Sequence, residues 1–144
     1  MKKILKKKSG FTLIELMIVI SIMVVLAAIA VPKYASIQKD AKVKADIATA
    51  KTIADAVTVL VAQEKVAESI GTLAAPIEIS EDSEDDNAIA IGSYLQTIPT
   101  SAVYKDKNFK VYVVDGIATI CVDSDATPSI ITEVYPTLNP QYGE

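Results

Sequence analysis

The chain has 144 residues and a net charge of −4, and all fourteen of its basic residues are lysine, with no arginine and no histidine. Without arginine there is no bidentate recognition of anions, and without histidine the usual neutral-pH acid–base group and metal ligand is missing. The acidic balance argues against a nucleic-acid partner, the single cysteine, Cys121, excludes an intramolecular disulfide, and the length suits no more than one folded domain.

The first ten residues carry five lysines (Lys2, Lys3, Lys6, Lys7 and Lys8) and no acid, and they end at Gly10. Between Phe11 and Val31 the only polar side chains are Thr12, Glu15 and Ser21. At 1.5 Å per residue such a run gives a helix of about 30 Å, enough to cross the hydrocarbon core of a membrane. Clustered lysines stay on the cytoplasmic side, so the N-terminus is expected inside and everything beyond Val31 outside. Glu15 does not fit a plain anchor. A carboxylate in an inserted helix costs on the order of 2 to 3 kcal/mol near its centre and less towards an end. Acids at such positions are functional candidates, with a partner to be found.

The lysine-rich leader, Gly10, the Phe11-Thr12-Leu13-Ile14-Glu15-Leu16 run and the apolar stretch behind it resemble the class III signal of type IV pilins and pseudopilins. The resemblance covers residues 1 to 35, about a quarter of the chain. It implies that a prepilin peptidase cuts between Gly10 and Phe11 and that Phe11 becomes the N-methylated first residue. It implies that Glu15 serves filament assembly and that Pro32 bends the helix. Loss of the leader lysines would take the net charge from −4 to −9. The spacing has its own physical sense. Glu15 lies one turn from Phe11 on the same helix face, and a first-turn carboxylate is favoured by the helix dipole. In an apolar bundle of staggered helices one chain's carboxylate can neutralise the next chain's new amine, each being costly there alone.

Beyond Pro32 the sequence turns amphipathic. Ile47, Ala50, Ala54, Val57 and Val61 recur at three- and four-residue spacing among Lys42, Lys44, Asp46, Lys51 and Asp55. This predicts that the helix continues to about Glu68, with Gly71 closing it. Residues 11 to 68 as one helix would be about 87 Å long, a rod that a filament needs and a globule of this size does not. The proline predicts a kink rather than an end, because the periodicity resumes after it.

Residues 72 to 92 lack periodicity and hold Glu78, Glu81, Asp82, Glu84, Asp85 and Asp86. Asp82, Asp85 and Asp86 are calcium candidates, but the spacing does not match an EF-hand loop, and a solvated mobile surface is the favoured reading. No metal and no other cofactor is expected. The Ile91–Pro99 stretch reads as a short helical turn, with Tyr94, Leu95 and Ile98 as anchors beneath a sheet. Phe109–Val114 and Ile117–Val122 flank Asp115-Gly116 as a tight hairpin. Ser129–Tyr135 is a third strand, and Pro136 and Pro140 make the end a loop or tail. Tyr94, Phe109, Tyr112 and Cys121 are candidates for the helix–sheet interface, alternation alone leaving the inward face open. Cys121 reads as a buried, inert thiol.

The expected fold is α+β, with a long N-terminal helix packed on a small antiparallel sheet of about three strands. The expected organisation is a leader over 1–10, a transmembrane and polymerisation helix over 11–33 and a globular domain over 34–144. In that domain the helix runs to about 68, a loop region covers 69–108, the sheet 109–135, and a tail follows. No nucleophile elbow, phosphate loop or CxxC pair occurs, so the chain is not expected to be an enzyme. The resemblance implies a structural subunit of a type IV pilus, a homo-oligomeric helical filament. Its other partners would be the prepilin peptidase, the inner-membrane assembly machinery and, before assembly, the cytoplasmic membrane. The alternatives are a major pseudopilin of a secretion or competence system, and a conventionally secreted or membrane-anchored binding domain. For a secreted domain Ala28-Ile29-Ala30 resembles a signal-peptidase site, but the apolar run is longer than a usual signal and contains Glu15.

Overall fold

The structure, a computed structural model, describes residues 11–125 and 130–143. The chain divides into two compact units, Met1–Gln38 and Lys39–Glu144. Helix α1 runs from Leu13 to Ala62. It passes through Pro32 without interruption, so the proline does not end the helix.

The C-terminal end of α1 comes earlier than the periodicity suggested. Glu64 takes a left-handed backbone (φ 57°), its N–H donates to the Val61 carbonyl at 2.9 Å, and the Lys65 N–H donates to the Leu60 carbonyl at 2.9 Å. These two bonds form a Schellman closure at a position usually given to glycine. The turn also points Val66 inward, where it is buried beside Leu60 in the core. Helix to Glu68 is therefore corrected to helix to Ala62, and Gly71 lies in the following loop.

The sheet has four antiparallel strands in the order β1-β2-β3-β4: Ile77–Glu78, Phe109–Val114, Ile117–Asp123 and Ile131–Tyr135. Asp115 and Gly116 have φ of 49° and 77°, so both central residues of the two-residue turn are left-handed, as a tight hairpin requires. Strand β1 is only two residues long and pairs Ile77 with Val111 and Glu78 with Lys110. A small register shift at Ile120/Cys121 bends the β3–β4 pairing. Of the expected third strand over Ser129–Tyr135, Ser129 lies outside the described residues, Ile130 precedes the strand, and Ile131–Tyr135 form β4.

Helix α2 spans Asp86–Leu95, so the helical turn expected from Ile91 starts earlier, inside the acidic run. Asp85 caps it: its Oδ1 accepts from the Asn87 N–H at 2.8 Å and the Ala88 N–H at 3.1 Å. That use of the side chain satisfies two of the amides that a helix start leaves unpaired.

The core lies within the second unit. Ala50, Ile53, Ala54, Val57 and Leu60 of α1 are buried with Ile91 of α2 and Phe109, Val111, Val113, Ile120, Val122 and Val134 of the sheet. Alternation places Phe109 inward and Tyr112 outward. Tyr112 is half-buried on the far face, where its hydroxyl donates to Glu133 Oε1 at 2.6 Å. Cys121 pairs with Lys110 and Glu133 across the strands and is fully buried, but on that outer face rather than in the helix–sheet core. Tyr94, expected as an anchor, is 48% exposed, while Leu95 and Ile98 do pack against the core. The reason is helical phase: α2 turns Ala88 and Ile91 inward, and Tyr94 falls outside that stripe.

Candidate functional site

In the first unit every side chain from Phe11 to Val31 is exposed in the single chain, including Phe11 at 79% and Val24 at 67%. The apolar residues surround the helix rather than forming a stripe, which is the pattern of a helix meant for lipid or for other helices. From Leu13 to Val31 Glu15 is the one charged residue, and none of the stretch is buried.

At the start of this helix the structure gives Glu15 a definite geometry. The Thr12 N–H and the Thr12 Oγ1–H each donate to Glu15 Oε2 at 2.8 Å, and the Glu15 N–H donates back to Thr12 Oγ1 at 3.3 Å. This reciprocal arrangement is a capping box, with Thr12 as N-cap and Glu15 as the third helical residue. Both Thr12 bonds fall on one carboxylate oxygen; the other, Oε1, accepts no hydrogen bond among the described residues. The sequence carries the signal for this box, Thr-x-x-Glu ahead of an apolar run. The box also fixes where the helix begins, leaving Phe11 and Thr12 outside it. Gly10, expected on the other side of the cleavage bond, lies outside the described residues.

The acids at 82, 85 and 86 are used differently. Asp85 is the N-cap and Asp86 the first residue of α2, while Asp82 is exposed in the preceding turn. Among the described residues no three histidine, cysteine, aspartate or glutamate side chains cluster as metal ligands.

A second polar constellation was not legible beforehand. Asp46, one of the charged residues interspersed along the amphipathic stretch, is 1% exposed. Its Oδ2 accepts from Ser101 Oγ at 2.6 Å, from the Tyr142 hydroxyl at 2.5 Å and from the Val103 N–H at 3.1 Å; its Oδ1 accepts from the Ala102 N–H at 2.7 Å. Tyr142 stacks edge-on against Tyr104 at 5.4 Å, and the Tyr104 hydroxyl accepts from the Gly143 N–H at 3.1 Å. Burial, and then the bond to Asp46, push the Tyr142 phenol well above its ordinary range. Gly143 has φ of 82°, and a side chain there would press within 3.1 Å of Val43. The C-terminal segment is therefore clasped to α1 by hydrogen bonds, in a chain whose single cysteine rules out a disulfide for the purpose. The Ser101 and Tyr142 hydroxyls and the amides of Ala102 and Val103 are all committed to the one carboxylate.

A family model described as the prokaryotic N-terminal methylation motif matches residues 5–31. The chain carries the class III signal of type IV pilins and pseudopilins. No curated protein and no solved structure matches the chain. The matched residues take in Lys6, Lys7 and Lys8 of the leader, the Gly10–Phe11 junction, the Thr12–Glu15 box and the apolar helix up to Val31. It points to a structural subunit, implies processing by a prepilin peptidase, and is consistent with membrane anchoring before assembly into a surface filament.

Proposed function

We propose that the protein is the structural subunit of a type IV pilus. It is cut between Gly10 and Phe11, methylated on the new amine, held in the cytoplasmic membrane by residues 11–33 with its N-terminus inside, and polymerised through that helix. The observation that carries this reading is the match of the methylation motif to residues 5–31, where every apolar side chain from Phe11 to Val31 is exposed among the described residues. Exposed apolar surface on this scale marks a membrane or protein interface, and a helix apolar all round can be served by each in turn.

In this reading Glu15 has two tasks that do not compete. Its Oε2 caps the helix in cis through Thr12, and its Oε1 is free to accept the N-methylated amine of a neighbouring subunit. Charge neutralisation inside a bundle of apolar helices then selects the axial register between subunits.

The test is the mass and N-terminal sequence of the protein recovered from cells, followed by electron microscopy of the shear fraction. A chain starting at methylated Phe11 and present in long surface filaments is expected. A start at Val31 would replace this reading with a secreted domain, and an intact Met1 with a plain membrane anchor. A methylated Phe11 without surface filaments, in a cell that exports proteins or takes up DNA through this chain, would replace the pilus by a pseudopilus.

A further inference from the structure

Asp46 is the first buried side chain on α1 counted from its N-terminus; of the helix residues before it, only Val43 is even partly covered. That upstream stretch is held as helix by its own backbone hydrogen bonds, and Pro32 removes one of them. A helix without packing is marginal outside a membrane and opens from its free or broken points. From Asp46 onward the situation reverses within one turn, because Ala50, Ile53, Ala54, Val57 and Leu60 are all buried.

The boundary coincides with the four donors on the Asp46 carboxylate. They come from two segments far away in sequence, Ser101 to Val103 and the C-terminal Tyr142. Ser101 is itself fixed, since its Oγ also accepts from the Tyr104 N–H at 3.0 Å. The segment bearing Tyr142 is braced by a turn, in which the Tyr142 N–H donates to the Asn139 carbonyl at 2.9 Å and the Asn139 N–H to the Glu133 carbonyl at 3.0 Å. A hydrogen bond to a charged group is worth more than a neutral one, and a buried carboxylate deprived of its donors is strongly disfavoured. Asp46 therefore resists leaving its site far more than an alanine at the same place would.

We propose that the Asp46 clasp is an end-stop for unravelling of α1, and that the C-terminal strap over residues 139–143 sets its strength. Opening that begins in the unpacked stretch runs towards the folded unit and halts at Asp46 while Tyr142 is docked. Release of Tyr142 moves the halt to the next packed turn, at Ala50 to Ile53, and leaves the sheet closed. This property belongs to the folded unit and holds whether or not the chain polymerises. In a filament under tension it would let a subunit lengthen ahead of Asp46 without losing its core.

Amide hydrogen exchange read by mass spectrometry on the mature full chain in detergent micelles tests it. In the wild type, a step in protection of at least about a hundredfold is expected between the amides just before Asp46 and those from Ala50 onward. In Tyr142→Phe, protection over residues 46–54 and 101–104 should fall by about tenfold to a hundredfold, the range for losing a hydrogen bond to a charged group. Protection in β2 and β3 should not change. Four results overturn the proposal: a wild type with no step at Asp46, a Tyr142→Phe chain with unaltered protection, one in which all protected amides fall together, and one that does not fold. Should Tyr142→Phe fail to fold, the clasp is part of the global unit and the proposal fails; Ser101→Ala, which leaves Tyr142 in place, provides an independent second reading of the same step.

Discussion

The two portions of α1 use similar residues under opposite physical rules. From Leu13 to Ala45 no side chain is buried, and the apolar residues of the first portion are distributed all round the helix. From Ala50 to Leu60 the buried residues Ala50, Ile53, Ala54, Val57 and Leu60 share one core with the sheet of the same chain. Each portion also contains one acid with more than one hydrogen bond, and the two acids differ in the same sense. Glu15 is capped locally by a residue three positions away and keeps one oxygen free, whereas Asp46 is saturated by partners more than fifty positions away. The first portion is unfinished without something outside the chain, and the second is complete within it. The substitutions at Glu15, Thr12 and Asp46 below should each disturb one portion and spare the other.

The largest effect is expected at Glu15. A capping box accepts glutamine in place of glutamate, so Glu15→Gln keeps the helix start and removes only the charge. If the charge neutralises a neighbour's amine, that amine is left buried alone, at about 3 to 5 kcal/mol for each subunit. Mature Glu15→Gln protein should then accumulate in the membrane fraction with few or no filaments by electron microscopy. Normal filaments from this variant would sink the pairing and leave the cap as the role of Glu15. Thr12→Ala is the complement: it weakens the cap by about 1 kcal/mol, keeps the charge and should still assemble.

Asp46→Ala reverses the pattern. It strands the Ser101 and Tyr142 hydroxyls and the amides of residues 102 and 103, each unsatisfied buried group costing about 1 to 3 kcal/mol before water or relaxation relieves it. Urea unfolding followed by circular dichroism should show a loss of about 3 kcal/mol or more, while cleavage before Phe11 goes on as in the parent. A change below about 1 kcal/mol would show that the clasp contributes little.

A smaller effect is expected in the acidic run, where three neighbouring acids should separate by role. Asp85→Ala removes the α2 N-cap and should destabilise by about 1 kcal/mol, whereas Asp85→Ser keeps a capping oxygen and should be close to neutral. Asp82→Ser, at an exposed turn, should stay within about 0.5 kcal/mol. A calcium-dependent melting shift in the parent, lost in Asp82→Ser, would show a metal site in place of a solvated turn.

The smallest effect at neutral pH, and a visible one in alkali, belongs to Cys121. Burial pushes its thiol from 9.0 up to about 12. Burial likewise raises the phenols of Tyr112 and Tyr142 above their usual value of 10.0. The folded state holds these protons longer than the unfolded chain does. Stability is thus fully present below about pH 9 and lost as pH rises from there towards 12, because the unfolded chain ionises first. The melting temperature should decline over that interval, and Cys121→Ala should delay its onset from about pH 9 to about pH 10. At pH 8 the thiol should react with a maleimide only on unfolding; rapid labelling of the native chain would contradict its burial.

Much of the first portion could be read from the chain itself, since its structure depends on local residues. The apolar run of Phe11–Val31, the lysines before it and the position of Glu15 need no tertiary partner to be recognised, and even the capping box is written in Thr12 and Glu15. The Asp115-Gly116 hairpin was legible for the same reason, because a two-residue turn between alternating strands is decided by its own backbone angles. Other features were settled only where distant segments meet. Asp46 looks like any solvated helix acid until Ser101, Ala102, Val103 and Tyr142 converge on it. Strand β1 has only two residues, and its place is set by the register it takes against Val111 and Lys110. The end of α1 moved from Glu68 to Ala62 because burying Val66 beside Leu60 favoured a left-handed Glu64 over another helical turn. Cys121 and Tyr94 show the remaining gap. Alternation and helical phase say which residues share a face, and only the packed partner decides which face is inside.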